Sequence, residues 1–231
     1  MLIERLAVRQ RLAALVTAVF AAVVMVALAS PTPAQAHGNV NDPVARGYRC
    51  LKVWGSKHMD PSMQTQDPMC WQAFQTNPAA MWNWNGMLRD GLGANYQSKI
   101  PNGTLCSAGN GDGGRYAPLD VPGNWVATNK PAQFTLNLVD QASHRADWID
   151  VYISTNGFDP TTQRLGWNNL VKVGSVGKTS GGGTVDPAVG GMAYGVNVNA
   201  SGYTGRRLLF TVWKASHADQ IYFLCSDVNI S

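Results

Sequence analysis

The sequence predicts a mainly β protein, an antiparallel β-sandwich with a large insertion of loops and short helices between its early strands. Two observations indicate this class. Residues 131–231 read as short runs in which apolar and polar side chains alternate, with turns between them. Residues 41–130 show little alternation and are rich in Gly, Pro, Asn and Trp, which is typical of ordered loops with short helical pieces.

Four segments carry the alternation that a half-buried strand requires. Apolar residues recur at every second position in residues 134–140 (FTLNLVD) and 148–155 (WIDVYIST), and residues 207–216 and 221–230 follow the same rule. Residues 174–183 (GSVGKTSGGG) are predicted to form a loop. Short strands with long loops indicate an immunoglobulin/fibronectin-III-like sandwich, and an insertion this long in a compact domain is usually functional.

The first 36 residues are interpreted as a signal peptide, outside the fold. Residues 1–11 contain three arginines, residues 12–29 are an apolar run, and a Pro-rich break then leads to residues 34–36 (AQA), the pattern that signal peptidase reads. A membrane anchor is the alternative, because the run is nearly long enough to span a bilayer. The break directly after the run favours cleavage. We therefore expect a secreted, extracellular domain of residues 37–231, with no membrane attachment after processing.

Size and charge limit the function classes. Removing residues 1–36, which hold three Arg and one Glu, leaves 195 residues and lowers the formal net charge from +4 to +2. This length suits a single domain with its own core. So small a charge, without a run of Lys or Arg, argues against nucleic acid as a partner. We expect a monomer.

All four cysteines, Cys50, Cys70, Cys106 and Cys225, follow the signal segment. An even count in an exported chain favours two disulfides over a metal site, and the chain has no C-x-x-C pair of the kind that binds zinc. The residues alone leave three pairings open.

The histidines carry the strongest chemical signal. Cleavage after Ala36 would make His37 the first residue, so that a free α-amino group and an imidazole could chelate one ion. A further imidazole would complete the planar, nitrogen-rich set that Cu(II) prefers. His144 and His217 each lie in a turn between two predicted strands, where a side chain could reach the end of the sandwich. The alternatives are a frayed terminus at His37 and ordinary loop histidines at the other two positions.

Several stretches point together to one family. His-Gly follows the signal segment, "DQASH" precedes a strand, and "FTVWKASHADQIYFLCSDVN" stands near the end of the chain. In this combination the chain resembles the bacterial lytic polysaccharide monooxygenases of auxiliary activity family 10, formerly carbohydrate-binding module family 33. The stretches "QDPMCWQAFQTNPAAMWNWNG" and "NGTLCSAGNG" resemble its cellulose-active branch. The resemblance covers the whole chain after residue 36.

The resemblance implies roles for particular residues. His37, through its amino group and imidazole, and His144 match the histidine brace that holds one copper ion. Ala142 matches a small residue that crowds one axial face of the copper. Tyr222 matches the aromatic residue beneath the copper, where many relatives carry Phe. Gln220 matches a Glu or Gln near the open coordination site; the alternative for it is a strand-edge amide that faces solvent.

The resemblance also implies the disulfides Cys50–Cys70 and Cys106–Cys225. It implies no copper role for His217, which is therefore interpreted as a structural loop residue.

The candidates for substrate binding lie in the insertion. They are Trp54, Trp82 and Asn85, because exposed aromatic rings stack on sugars at little entropic cost and amides hydrogen-bond to them. Trp213 is expected in the core.

The expected function is oxidative cleavage of glycosidic bonds in crystalline cellulose, at carbon 1 and with carbon 4 as a further outcome. The reaction requires copper, an external electron donor, and hydrogen peroxide or dioxygen as co-substrate. A site at a chain terminus lies on the surface, which suits an insoluble polysaccharide as the partner. The alternatives are a chitin-active monooxygenase, a non-catalytic polysaccharide-binding protein and a periplasmic copper carrier.

Overall fold

The computed structural model describes residues 37–179, 184–185 and 190–231. Within those ranges no helix is long and apolar enough to cross a membrane. The strands are β1 Gly38–Asp42, β2 Leu88–Asp90, β3 Thr128–Lys130, β4 Gln133–Asp140, β5 Ala146–Ser154, β6 Leu170–Val176, β7 Thr184–Val185, β8 Met192–Asn199, β9 Gly205–Ala215 and β10 Gln220–Ile230. The helices are α1 Arg46–Trp54, α2 Met63–Gln66, α3 Pro68–Thr76, α4 Ala79–Trp82, α5 Tyr96–Lys99 and α6 Gly111–Gly114, with 3₁₀ turns at Gly55–Lys57, Leu105–Ser107, Ala117–Asp120 and Trp167–Asn169.

The strands form two sheets. One has the order β1-β4-β8-β7, and the other has the order β2-β10-β9-β5-β6 with β3 added against β10. All pairings are antiparallel except that of β3 with β10, which is parallel. The predicted mainly β, antiparallel sandwich is confirmed, and the parallel β3 pair is the one departure from it in the described ranges.

The core follows from the alternation of side chains. On β5, Ile149, Val151 and Ile153 have no exposed surface. On β8, Tyr194 and Val196 are buried while the residue between them is exposed. Burying one face of each sheet against the other removes this apolar surface from water, which is the main stabilising term for such a fold.

The predicted loop at residues 174–183 begins later than expected. Strand β6 continues to Val176, which pairs with Ile149 of β5, so the first part of this segment completes the edge of the sheet. Residues 177–179 are loop, and residues 180–183 lie outside the described part of the chain. Pairing with a long neighbouring strand here outweighs the weak strand preference of glycine.

The insertion predicted at residues 41–130 occupies residues 43–127, between β1 and β3. It contributes β2 to the larger sheet, and its Tyr96 ring packs 6.0 Å from the ring of Phe223 on β10. The structure contains both disulfides implied by the resemblance, Cys50–Cys70 inside the insertion and Cys106–Cys225 between the insertion and β10. The insertion is thereby fixed against the strand that carries Gln220 and Tyr222.

Candidate metal site

The segments that carry His37 and His144 lie at the same end of the smaller sheet. His37 lies directly before β1, and His144 lies in the turn between β4 and β5. Gly38 pairs with Asp140 in the β1–β4 ladder, and the N–H of Gln141 donates to the carbonyl oxygen of His37 at 2.8 Å. Both imidazoles are half-buried. Strand pairing thus brings together the segments of two histidines that are far apart in the sequence.

The residue after His37 has to be glycine. A Cβ atom at Gly38 would lie 2.5 Å from Cζ3 of Trp213 and 2.7 Å from the carbonyl oxygen of Val139, closer than real Cβ atoms come. The N–H of Gly38 donates to the carbonyl oxygen of Asn85 at 2.9 Å, so the insertion also holds this segment. The glycine of the His-Gly pair seen in the sequence is therefore required by packing at the first residue of β1, directly after His37.

A buried carboxylate shapes the turn that carries His144. Asp140 accepts hydrogen bonds from the N–H groups of Ala142 at 3.2 Å and Arg145 at 2.8 Å. Ser143 and Arg145, on either side of His144, have positive φ angles of 57° and 64°, a conformation that L-residues adopt at a cost. Burial raises the pKa of Asp140, while the backbone N–H donors oppose that rise. Asp140 was not among the predicted site residues, although a carboxylate at the end of an apolar strand is a recognisable turn signal.

Tyr222 and Trp213 form the layer beneath this end of the sheet. They are cross-strand partners on β10 and β9, and their rings stack with centroids 4.3 Å apart. The indole N–H of Trp213 donates to the carbonyl oxygen of Arg145 at 3.0 Å, and the same ring contacts Gly38. Trp213 therefore supports both histidine-bearing segments, and its predicted place in the core is confirmed.

The Tyr222 side chain is fully buried. Burial raises the pKa of its hydroxyl, and Oη makes no hydrogen bond to any described residue. The neighbouring Phe223 packs against Phe210, with ring centroids 6.1 Å apart. The role of Tyr222 beneath a metal stays a prediction. Its ring packs on the indole of Trp213, and that indole contacts Gly38.

Gln220 and Ala142 differ in exposure. Gln220 is only 8% exposed, pairs with Asp90 of β2, and its Oε1 has no hydrogen-bond partner among the described residues. The alternative reading of Gln220, an amide that faces solvent, is therefore wrong. Ala142 is exposed at the surface of the β4–β5 turn, where a small side chain leaves space.

Of the three proposed sugar-binding residues, Trp54 is in the wrong place. It is 2% exposed, its indole N–H donates to Asp67 at 3.0 Å, and the Lys57 ammonium lies 4.4 Å from its ring centroid. The Trp54 ring lies on the buried side of the amphipathic helix α1, inside the core of the insertion. The face of this ring therefore cannot stack on a polymer.

Trp82 and Asn85 lie nearer the surface. Trp82, at the end of α4, is 44% exposed, and the His58 ring meets it edge-on with centroids 5.1 Å apart. Asn85 is half-buried, and its Nδ2 donates to Oε1 of Gln141 at 2.6 Å. Asn85 therefore ties the insertion to the turn of His144, in addition to any contact with a substrate.

The donor set fits copper. Nowhere in the described residues does a cluster of three or more His, Cys, Asp or Glu side chains suit a metal ion. A metal held by His37 and His144 therefore needs a donor that is not a side chain, and a free amine at His37 would supply it. Two imidazoles and an amine are the nitrogen-rich ligands that suit Cu(II).

Comparison with known proteins identifies the family. A family model described as lytic polysaccharide mono-oxygenase, cellulose-degrading, matches residues 37–228. The chain belongs to this family. The match starts at His37, the residue that cleavage would expose.

Two solved structures of lytic polysaccharide monooxygenases show the likeness in three dimensions. LPMO10B from Micromonospora aurantiaca is 46% identical, with a TM-score of 0.80 over 84% of this chain and 99% of that one. The cellulose-active CelS2, solved in complex with copper, is 28% identical, with a TM-score of 0.71 over 84% of this chain and 98% of that one.

Two curated relatives extend the comparison. The lytic cellulose monooxygenase of Streptomyces ambofaciens is 32% identical over 228 residues, which cover 94% of this chain and 59% of the relative. The chitin-binding protein CbpD of Pseudomonas aeruginosa is 26% identical over 209 residues, which cover 89% of this chain and 50% of that protein. This chain thus spans between half and three-fifths of the length of these relatives. The name of the first relative refers to cellulose and that of the second to chitin.

Proposed function

We propose that residues 37–231, after removal of residues 1–36, act as a secreted, copper-dependent monooxygenase that cleaves crystalline cellulose, with oxidation at carbon 1 and with carbon 4 as a further outcome. The observation that carries the proposal is that the segments of His37 and His144 lie at the same end of the sandwich, joined by the Gly38–Asp140 pair and the hydrogen bond from Gln141 to His37. The family match beginning at His37 supports the cleavage site.

Each site residue would have a distinct role in binding copper or in shaping its surroundings. The amine and imidazole of His37 and the imidazole of His144 would hold one copper ion. Bound there, copper would take an electron from an external donor and activate hydrogen peroxide or dioxygen against a sugar C–H bond. The Tyr222 ring excludes water from beneath the site, since it is buried against Trp213. The buried Gln220 amide would accept a hydrogen bond at its Oε1, and the small side chain of Ala142 would leave the outer side open.

An insoluble polysaccharide suits the surface around this site. The exposed ring of Trp82 can stack on a sugar, and the small net charge after processing suits an uncharged polymer. Two relatives with cellulose in their names and the Trp-rich "MWNWNG" favour cellulose. Chitin is the second candidate, supported by the match to the chitin-binding protein CbpD.

Product analysis tests the proposal. The processed, copper-loaded protein is incubated with ascorbate on crystalline cellulose and, separately, on chitin, and soluble products are identified by mass spectrometry. We expect aldonic and 4-keto cello-oligosaccharides that disappear in His144→Ala. Oxidised chito-oligosaccharides alone would reject cellulose. Binding to either polymer without any oxidised product would reject the monooxygenase and leave a polysaccharide-binding protein.

A further inference from the structure

We propose that His217 is a positioning residue for the metal: its imidazole, stacked on His144, holds the His144 ring in the orientation that copper binding requires. This inference rests on the proposed function, because it concerns the same copper ion. The family resemblance assigns His217 no such role.

The two rings form a close parallel stack. Their centroids are 3.6 Å apart and their planes differ by 16°. The lone pairs of the imidazole nitrogens lie in the plane of each ring. Because the two planes are nearly parallel, the rings do not direct their lone pairs toward a common point. In this arrangement His217 is therefore not a further ligand for an ion bound to His144, although its position in the sequence had made it a candidate.

The fold makes this meeting a consequence of strand register. Ala146 of β5 pairs with Ala215 of β9. His144 stands two residues before Ala146, and His217 stands two residues after Ala215. Since the strands are antiparallel, the two histidines lie opposite each other just beyond the end of the ladder.

The stack covers one face of the His144 ring at the edge of a cleft. The two imidazoles border an open cleft of about 740 Å³. The rest of the described lining is not aromatic and consists of Ser143, Arg145, Lys178, Thr179 and Ser216. Removing the His217 ring would take the stacking partner from this face of the His144 imidazole.

Holding a ligand before the metal arrives strengthens binding. A side chain that is free to rotate loses that freedom when it binds, and the loss lowers affinity. Contacts that orient metal-bound histidines typically change metal affinity by about 10–100-fold when they are removed. His217 is exposed to solvent and makes its contact through ring packing, so we expect an effect at the low end of this range.

Copper titration of processed variants tests the role of the stack. Calorimetry and electron paramagnetic resonance are compared for the wild type, His217→Ala, His217→Phe and the control His58→Ala, which removes a histidine beside Trp82. We expect His217→Ala to bind Cu(II) about tenfold more weakly, with a broadened or shifted spectrum. His217→Phe keeps a stacking ring and should restore both, and His58→Ala should match the wild type. Unchanged binding and spectrum in His217→Ala, or no recovery in His217→Phe, would overturn the inference.

A metal-free measurement separates this inference from the proposed function. NMR relaxation of the His144 ring carbons in the protein without copper should show a rigid ring in the wild type and in His217→Phe, and a mobile ring in His217→Ala. An equally rigid ring in His217→Ala would overturn the stacking role. A wild type that binds no Cu(II) would refute the proposed function, while the relaxation data would still decide whether His217 holds His144.

Discussion

At the residue scale, Asp140 does more than any other described side chain to shape the turn around His144. Its buried carboxylate holds two backbone N–H groups, and the residues on both sides of His144 adopt positive φ angles. A strained turn persists only where its surroundings fix it, and here Asp140 and the bond from Trp213 to the Arg145 carbonyl do so. The position of His144 is therefore a property of this turn as well as of strand pairing.

Replacing Asp140 by Ala should loosen that turn. Two part-buried hydrogen bonds are lost, which should lower the free energy of unfolding by about 1 kcal/mol and weaken Cu(II) binding about tenfold. Urea unfolding and copper calorimetry measure the two effects. Asp159→Ala is the matched control, because Asp159 accepts from the Thr161 N–H at 2.9 Å in a turn that holds no site residue. Equal copper affinity in Asp140→Ala and Asp159→Ala would contradict this role.

Asp120 should make stability depend on pH. Burial raises its pKa to about 6, while its Oδ1 accepts the N–H of Cys106 at 2.8 Å. Between its unfolded value near 4 and about pH 6, the folded state binds more protons than the unfolded state, so this group lowers stability as the pH rises. Relative to the wild type, Asp120→Asn should therefore gain up to about 3 kcal/mol between pH 4 and pH 7.

Urea unfolding of both proteins at several pH values measures this difference. Asp112→Asn, at an exposed carboxylate, is the control and should follow the wild type. A constant difference between Asp120→Asn and the wild type over this pH range would show that Asp120 does not titrate in it.

At the scale of the element, the two disulfides close loops of different length. Cys50–Cys70 spans 20 residues inside the insertion, and Cys106–Cys225 spans 119 and joins the insertion to β10. In the chain-entropy model, closing the longer loop removes more freedom from the unfolded chain. Replacing both cysteines of a pair by Ala should cost about 1.5 kcal/mol more for Cys106–Cys225 than for Cys50–Cys70. Chemical denaturation of the two double variants measures this, and equal losses would argue against the entropic account.

Helix α4 presents the exposed ring of the insertion. Trp82→Ala should weaken adsorption to crystalline cellulose about tenfold, because a stacked aromatic ring is a typical binding hot spot. Trp82→Tyr keeps a stacking ring and should retain most of the binding. Met59→Ala, at a side chain that is 77% exposed, is the control for loss of apolar surface. Adsorption isotherms that are identical for Trp82→Ala and the wild type would remove Trp82 from the polymer surface.

Strands could be predicted from the sequence where neighbouring residues alone carry the apolar–polar alternation. Alternating apolar residues predicted β4, β5, β9 and β10, because a half-buried strand repeats every two residues. Strand β8 was not predicted, since its buried residues alternate with Gly195 and Asn197, which are typical of loops. Trp54 was misplaced for a similar reason: the sequence shows that a Trp is present, and only the packing of α1 shows that its ring points inward.

At the scale of the whole molecule, the candidate site depends on contacts between distant parts of the chain. The cleavage pattern pointed to His37, the resemblance selected His144 over His217, and the β1–β4 pairing brings the segments of His37 and His144 to one end of the sheet. The stack of His217 on His144 could not be predicted, because it depends on the register between β5 and β9. The bond from Asn85 to Gln141 likewise joins two segments whose approach only the folded insertion determines.

The central claim is that a free amine at His37 joins the imidazoles of His37 and His144 in holding copper, and calorimetric titration of Cu(II) tests it most directly. The protein that begins at His37 is compared with one that carries a single extra residue before His37, which converts the amine to an amide. We predict one tightly bound Cu(II) in the first protein and binding at least about a hundredfold weaker in the second. Equal affinity in the two proteins would contradict it.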